Sequence, residues 1–365
     1  MKNTNDKIIE MINNNKSANE IAKAVNLSNK QLFYRLNLLK SKGYEFIKKY
    51  YYNGDIVYTI NKNLNDPINN KGANIFSKLN DNEFNAIFIS DLHLGNKKDR
   101  IDLLKVIYEY CAKENINIII NAGDFIDGLI GNSDKKFFDI ESQINYAIKN
   151  HPFDNNILNF LCLGNHDYDS YEKSGQDLSK ALNARRHDII PIGYGAGSLK
   201  IKNEEIIVIH PGTKTLNNNY DYRYKLVLSG HHHTMKFLTG YNNCIQIQIP
   251  SLSDLLFRDY NLMAGVVRAK ITFNNGFFET GLFTNLLIEK TKIHTGAELQ
   301  SYMLQGKNPN ATKSIFYIDK RDDNIKKNTQ SDTNQKYNFT EKSNVDNSKV
   351  KRISRIEKFN SKYRK

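Results

Sequence analysis

At 365 residues, 39% of them hydrophobic, the chain has room for two domains and at least one sizeable core. Its 52 lysines and arginines against 39 acids leave a net charge of +13, a balance that favours acidic partners such as nucleic acid, phosphorylated substrates or anionic surfaces, although abundant Lys and Asn account for part of it. Cys111, Cys162 and Cys244 are too few and too far apart for a disulfide framework or a thiolate zinc motif, and no apolar run reaches membrane-spanning length. The opening Met1-Lys2-Asn3-Thr4-Asn5 lacks a signal-peptide core, so a soluble cytoplasmic protein is expected.

Residues 6–43 read as three short helices. Ile8, Ile9 and Ile12 stripe the first. Ser17 with Glu20 forms a capping box for the second, which carries Ile21, Ala22 and Val25. Ser28 can cap the third, whose buried face is Leu32, Leu36 and Leu39 and which stops at Gly43. Tyr44–Tyr52 and Ile56–Ile60 flank Asn53-Gly54, the strongest short hairpin signal. Residues 1–60 resemble a winged helix-turn-helix domain, and the run from Ser17 to Gly43 carries that resemblance. It implies that Lys30, Gln31, Tyr34 and Arg35 face bases or phosphates of DNA, with Lys48 and Lys49 on the wing. Many such domains instead bind protein or dimerise.

Residues 61–83, rich in Asn, Lys and Asp and broken by Pro67 and Gly72, read as a linker. From 84 to 290 strand-like and helix-like segments alternate, the sign of a layered α/β domain. The apolar strands end in polar, metal-capable residues. Ala86–Ile89 leads to Asp91-Leu92-His93. Ile118–Ile120 leads to Asn121-Ala122-Gly123-Asp124. Ile157–Leu163 leads to Gly164-Asn165-His166-Asp167. Ile206–Ile209 leads to His210, and Leu226–Leu228 leads to Gly230-His231-His232-His233. Open α/β sheets bind ligands at such strand ends, and carboxylates mixed with imidazoles suit divalent manganese, iron or zinc.

Asp91, His93, Asp124, Asn165, His166, His210, His231 and His233, in that order, resemble the calcineurin-like metallophosphoesterase family, whose five short blocks are all present across about 200 residues. The resemblance implies a β-sandwich flanked by helices, a four-layer α/β/β/α arrangement. Val266–Phe273 and Phe277–Phe283, joined at Asn274-Asn275-Gly276, would belong to its second sheet. It implies two divalent ions, manganese first and iron or zinc as alternatives. Asp91, His93 and His233 would hold one, Asn165, His210 and His231 the other, with Asp124 between them and a bridging hydroxide as nucleophile. His166 would sit by the scissile phosphate as a catalytic acid, with Asp167 orienting it. His232 faces away. His151, His187 and His294 need no special role, and Asp127 is a candidate support for its loop.

Residues 306–365 are mostly Asn, Lys, Asp, Ser and Thr and read as a mostly disordered basic tail, apart from Ser314–Ile318. Near its end Val350, Ile353, Ile356 and Phe359 recur among basic residues, the pattern of a short amphipathic helix. The function expected is a metal-dependent phosphodiesterase or nuclease acting on DNA, with RNA possible. The alternatives are a small-molecule phosphodiesterase, for cyclic nucleotides or pyrophosphates, whose winged helix binds protein, and a DNA-binding regulator with a non-catalytic phosphoesterase domain. Oligomeric state is not readable from the chain.

Overall fold

The computed structural model describes residues 4–40, 44, 46–60, 72–76, 81–131, 134–212, 224–239, 244–255, 264–289, 292–302 and 316–319. Gly43, the amphipathic stretch from Val350 and nearly all of 306–365 lie outside them.

The chain opens with α1 (Thr4–Asn13), α2 (Ala18–Ala24) and α3 (Asn29–Lys40). Reciprocal hydrogen bonds between Ser17 and Glu20 cap α2. The same device caps α3: the Ser28 amide donates to Gln31 Oε1 (2.8 Å) while the Gln31 amide donates to Ser28 Oγ (3.2 Å). The three helices bury Ile8, Ile12, Ile21, Leu32, Leu36 and Leu39 together, and Phe33, off that stripe, is buried beside His187. The hairpin follows as β1 (Phe46–Tyr51) and β2 (Ile56–Ile60). Residues 61–83 are not linker throughout, because Ala73–Phe76 forms β3, which pairs in parallel with β1 (Tyr50 opposite Ile75).

Next come β4 (Glu83–Ile89), α4 (Ile101–Lys113), β5 (Ile118–Asn121), α5 (Ile140–Asn150), β6 (Leu158–Leu163), α6 (Asn165–Ser174), α7 (Leu178–Arg185) and β7 (Ile189–Tyr194). β4 to β7 are parallel neighbours. They are apolar on both faces because both are covered. Phe84, Ala86 and Phe88 of β4 point into the core between the sheets, whereas Ile87 and Ile89 point to the other side, against Leu103, Leu104, Ile107, Ile144 and Leu182 of the helices.

The chain then forms β8 (Ala196–Ile201), β9 (Glu204–Ile209), β10 (Leu226–Ser229), β11 (Lys236–Thr239), β12 (Ile245–Gln248), β13 (Gly265–Asn274), β14 (Phe277–Glu289), β15 (Lys292–Tyr302) and β16 (Phe316–Asp319). Among the described residues two eight-stranded sheets result, β11-β12-β10-β9-β8-β3-β1-β2 and β16-β15-β14-β13-β4-β5-β6-β7. Two corrections to the sequence reading follow. The hairpin β13–β14 belongs to the sheet of β4, not to the second sheet, because β13 pairs antiparallel with the free edge of β4 (Val267 opposite Phe88). That sheet also runs past residue 290 through β15 and β16.

The second correction concerns the N-terminal segment. β3 pairs with β1 on one side and β8 on the other, so the hairpin expected as a wing is the end of the sheet that also holds β8 to β12. One hydrophobic core runs from Ile8 and Leu36 through Phe46 and Tyr58 to Phe84 and Phe160, and Tyr50 packs edge-on against Phe160 at 5.4 Å. At the hairpin turn Gly54 has φ +75°, and a Cβ there would stand 1.8 Å from the Asn156 carbonyl oxygen. Only glycine lets the turn close against that loop.

Candidate metal centre

The sandwich brings the ends of strands from both sheets to one edge. β4, β5 and β6 deliver Asp91, His93, Asp124, Asn165 and His166; β9 and β10 deliver His210, His231 and His233. Asp91, His93, Asp124, His231 and His233 have φ of 54°, 45°, 51°, 78° and 56°. Left-handed backbone at a non-glycine residue costs about 1–2 kcal/mol, so five together are a concentration of strain of the kind found at functional sites. It bends each chain sharply as it leaves its strand and brings the side chains onto a common centre.

Three glycines make room for this. A Cβ on Gly123 would lie 2.2 Å from His210 Nδ1. One on Gly164 would lie 2.2 Å from Asp124 Oδ1, and one on Gly230 2.2 Å from Ser90 Oγ. Ser90 Oγ in turn donates to Asp91 Oδ2 (2.6 Å).

Among the described residues three groups of three candidate ligand atoms converge, two of which share no residue and the third of which joins His93, Asp127 and His166. In the first, His233 Nε2 is 3.2 Å from Asp91 Oδ1 and 3.4 Å from His93 Nε2. In the second, Asp124, His210 and His231 come together, with His210 Nε2 3.0 Å from Asp124 Oδ2 and His231 Nδ1 3.0 Å from Asn165 Oδ1. Asp124 lies between the groups, its Oδ2 3.8 Å from His93 Nε2 and 4.0 Å from His166 Nε2.

The chemistry of this donor set fits divalent ions. Asp91 and Asp124 are buried, and among the described residues no lysine or arginine pairs with either. A buried carboxylate without a cation is costly. Burial opposes charge on Asp124, but the facing imidazoles of His210, His166 and His93 outweigh it and hold the carboxyl far below its usual range. Burial likewise opposes charge on His210, yet Asp124 and Asp91 lift it to about 9.

The imidazoles are turned by their outer nitrogens. His210 Nδ1 bonds the Ala122 carbonyl (2.6 Å), His233 Nδ1 that of Leu255 (2.7 Å) and His166 Nδ1 that of Asp127 (2.6 Å). A carbonyl only accepts, so each Nδ1 carries a proton and Nε2 is the atom turned to the centre, where it donates while the ring is charged and offers a lone pair to a metal once that proton is lost. The N-terminus of α6 points at the same place, its His166 amide donating to Asp124 Oδ1 (2.9 Å).

Asp167 does not orient His166. Its buried carboxylate accepts from the amides of Gly164 (2.8 Å), Ile126 (2.9 Å) and Phe125 (3.1 Å), which ties the loop after β5 to the start of α6. The His166 ring is set by Asp127 instead. Asp127 also accepts from Asn96 Nδ2 (2.9 Å) and from the buried ammonium of Lys135 (2.8 Å), and its Oδ1 lies 3.6 Å from His93 Nδ1. The signal for it was slight, a carboxylate three residues past Asp124. His232 is exposed and stacks edge-on against His231; His294 is exposed; His151 and His187 are buried, His151 with its Nδ1 at the Pro152 carbonyl.

Of the residues matched to DNA contacts, Lys30, Tyr34, Arg35 and Lys49 are exposed. Gln31 is exposed too, but its side chain closes the α3 capping box. Lys48 is half-buried, its ammonium 5.4 Å from the centre of the Phe33 ring, and burial with the nearby charge of Lys40 brings it down to about 8. The tip of the hairpin abuts Asn156.

Residues 84–235 match the calcineurin-like phosphoesterase family. No curated protein matches the chain. Similar solved structures include vacuolar protein sorting 29 from Cryptosporidium parvum (12% identity, 61% of this chain and 100% of that one, TM-score 0.37). The phosphoesterase YfcE from E. coli (13%, 57% and 96%, TM-score 0.37) and the nuclease MPE from Pseudomonas putida (15%, 57% and 86%, TM-score 0.31) are others. No described helix is long and apolar enough to cross a membrane.

Proposed function

With residues 84–235 forming a calcineurin-like phosphoesterase domain, we propose that the chain is a dinuclear metal-dependent phosphodiesterase whose substrate is a nucleic acid, DNA foremost. The observation that carries the hydrolase reading is the buried pair Asp91 and Asp124, ringed by inward-turned imidazoles and without a lysine or arginine partner among the described residues. Asp91, His93 and His233 would hold one ion and Asn165, His210 and His231 the other, with Asp124 serving both. Manganese suits this mixed oxygen and nitrogen set, as do iron and zinc. When bound, such ions supply Lewis acidity toward a phosphoryl oxygen and acidify water near neutral pH.

The chain's own part is positioning and proton transfer. The amide end of α6 and the neutral Asn165 keep the site from accumulating negative charge, so an anionic phosphodiester is not repelled. His166, 18% exposed, keeps its Nδ1 on the Asp127 carbonyl and presents Nε2 to the cleft. From Nε2 it would protonate the departing oxygen. The nucleic-acid part of the reading is supported by the net charge of +13 and by the exposed Lys30, Tyr34, Arg35 and Lys49.

The test is cleavage of end-labelled single- and double-stranded DNA, beside an aryl phosphodiester, by metal-stripped protein with manganese restored. Cleavage of all, lost in Asp124→Ala, is the expected result. Cleavage of the aryl ester alone would move the assignment to a small diester. That second reading draws on one observation: the hairpin turn pressed on Asn156 is not free to track a DNA backbone. Equal turnover by Asp124→Ala would leave the domain a binding role only.

A further inference from the structure

A cavity of about 510 Å³ lies where α3 meets the phosphoesterase domain. It sits at the other end of the sheet from the metal centre. Its residues precede β6 and β7, whereas Asn165 and His166 follow β6, so the length of a six-residue strand, roughly 20 Å, separates the two. Nothing in the metal chemistry uses it.

Its floor is rigid. Arg186, 8% exposed, donates to Asp188 Oδ1 and to the carbonyls of Ile148, His151 and Pro152 at 2.8–3.0 Å, so its charge and donors are committed. Asp188 is thereby neutralised. Around that floor stand Lys30, Lys149 and Arg185, for none of which an acidic partner exists among the described residues; Arg185 is steadied by Asn145 Oδ1. Aromatic rings complete the wall in a row. Tyr34 to Phe33, Phe33 to His187 and His187 to Phe153 have centroid distances of 6.1, 5.8 and 5.2 Å. The rings at its two ends, Tyr34 and Phe153, line the cavity and are 49% and 48% exposed, an unusual state for large rings.

Three cations without an acidic partner among the described residues, beside two half-exposed rings, of which Phe153 has the Arg186 guanidinium 5.8 Å from its centre, match a phosphate joined to a flat heterocycle. We propose that this cavity is a nucleotide-binding site, built jointly by the N-terminal helices and the phosphoesterase domain. The phosphate lies against Lys30, Lys149 and Arg185, and the base against Tyr34 or Phe153. A free nucleotide and one nucleotide of a single strand present the same chemistry. Occupancy would cross-link α3 to the phosphoesterase core. Binding here does not depend on the metal centre, so it fails separately from the hydrolase reading; it shares Lys30 and Tyr34 with the nucleic-acid part of that reading, which the ATP arm of the test separates from a free-nucleotide site.

The test uses the full chain in EDTA at low salt, with ATP by calorimetry and a labelled 12-nucleotide single-stranded DNA by fluorescence anisotropy. Lys149→Gln/Arg185→Gln, which alters only the cavity rim, should weaken binding about 10- to 100-fold and flatten its salt dependence. Tyr34→Ala should weaken it about tenfold, and Tyr34→Phe should not. Binding of ATP that is lost in these variants assigns the site to a free nucleotide; binding of the strand alone with the same losses assigns it to nucleic acid. Unaltered melting temperatures check that the variants fold. No binding of either probe at millimolar concentration, or equal affinity in parent and variants, overturns the proposal.

Discussion

Asp127→Asn isolates a single charge. The substitution keeps the shape of the side chain and its acceptor for Asn96, but leaves the ammonium of Lys135, 7% exposed, with only the carbonyls of Gly128 (2.9 Å) and Ile130 (3.0 Å). Breaking one partner of a buried ion pair costs about 3–5 kcal/mol, because the remaining charge stays out of water. Against a total stability of about 5–15 kcal/mol that is a large fraction. At about 2–4 °C per kcal/mol for a domain of this size, it corresponds to a fall of roughly 10 °C in melting temperature. Urea unfolding in EDTA measures it without a metal contribution. The double variant Asp127→Asn/Lys135→Met removes both charges and should recover at least half of the loss, since an apolar replacement of a buried pair is often close to neutral. A single variant within about 0.5 kcal/mol of the parent, or a double variant no more stable than the single, would refute the reasoning.

Gly123→Ala should fold yet bind manganese at least tenfold more weakly, read by metal titration, because its Cβ would strike His210 Nδ1 at a backbone φ of +110° that disfavours alanine in any case. His151 is buried and neutral: burial first, then the charge of Arg186, lowers it from 6.5 to about 3. The unfolded chain therefore binds the extra proton between these values. The stability His151 permits is complete above about pH 6.5 and drains away as pH falls toward 3, by up to about 1.4 kcal/mol per pH unit. In His151→Gln the slope of unfolding free energy against pH should be shallower by one proton over that window; an unchanged slope counts against it. Leu36→Ala should cost about 2–5 kcal/mol by denaturant unfolding and destabilise the whole described chain in one transition, since Leu36 shares a core with Phe84 and Phe160. Separate unfolding of residues 1–60 would contradict that shared core.

The fold and the centre were unequally legible. The helices of the N-terminal segment, the Asn53-Gly54 hairpin and the strands ahead of each ligand followed from local signals. Capping residues, turn dipeptides and four- to seven-residue apolar runs act over a few positions, so a linear reading contains them. Short or polar pieces such as α6 and β8 were not read, because their apolar residues are too few to show a period. Phe33 escaped the stripe of α3 since it meets His187, more than 150 residues further on.

What the sequence determined by itself is the set of candidate ligands: each is announced by its own strand and a neighbouring glycine or polar turn, as in Ile118–Asp124 or Leu226–His233. That Asp91 faces His233 and Asp124 faces His210 is decided by the meeting of two sheets. The tertiary structure alone assigned Asp167 to three backbone amides and gave the His166 ring to the Asp127 carbonyl. It also made the hairpin the end of a sheet, through a four-residue strand inside a segment that reads as linker. The reason is physical. A hydrogen bond or a strand edge takes whichever partner the packed chain brings within about 3 Å, and for these groups that partner is tens of residues away in sequence.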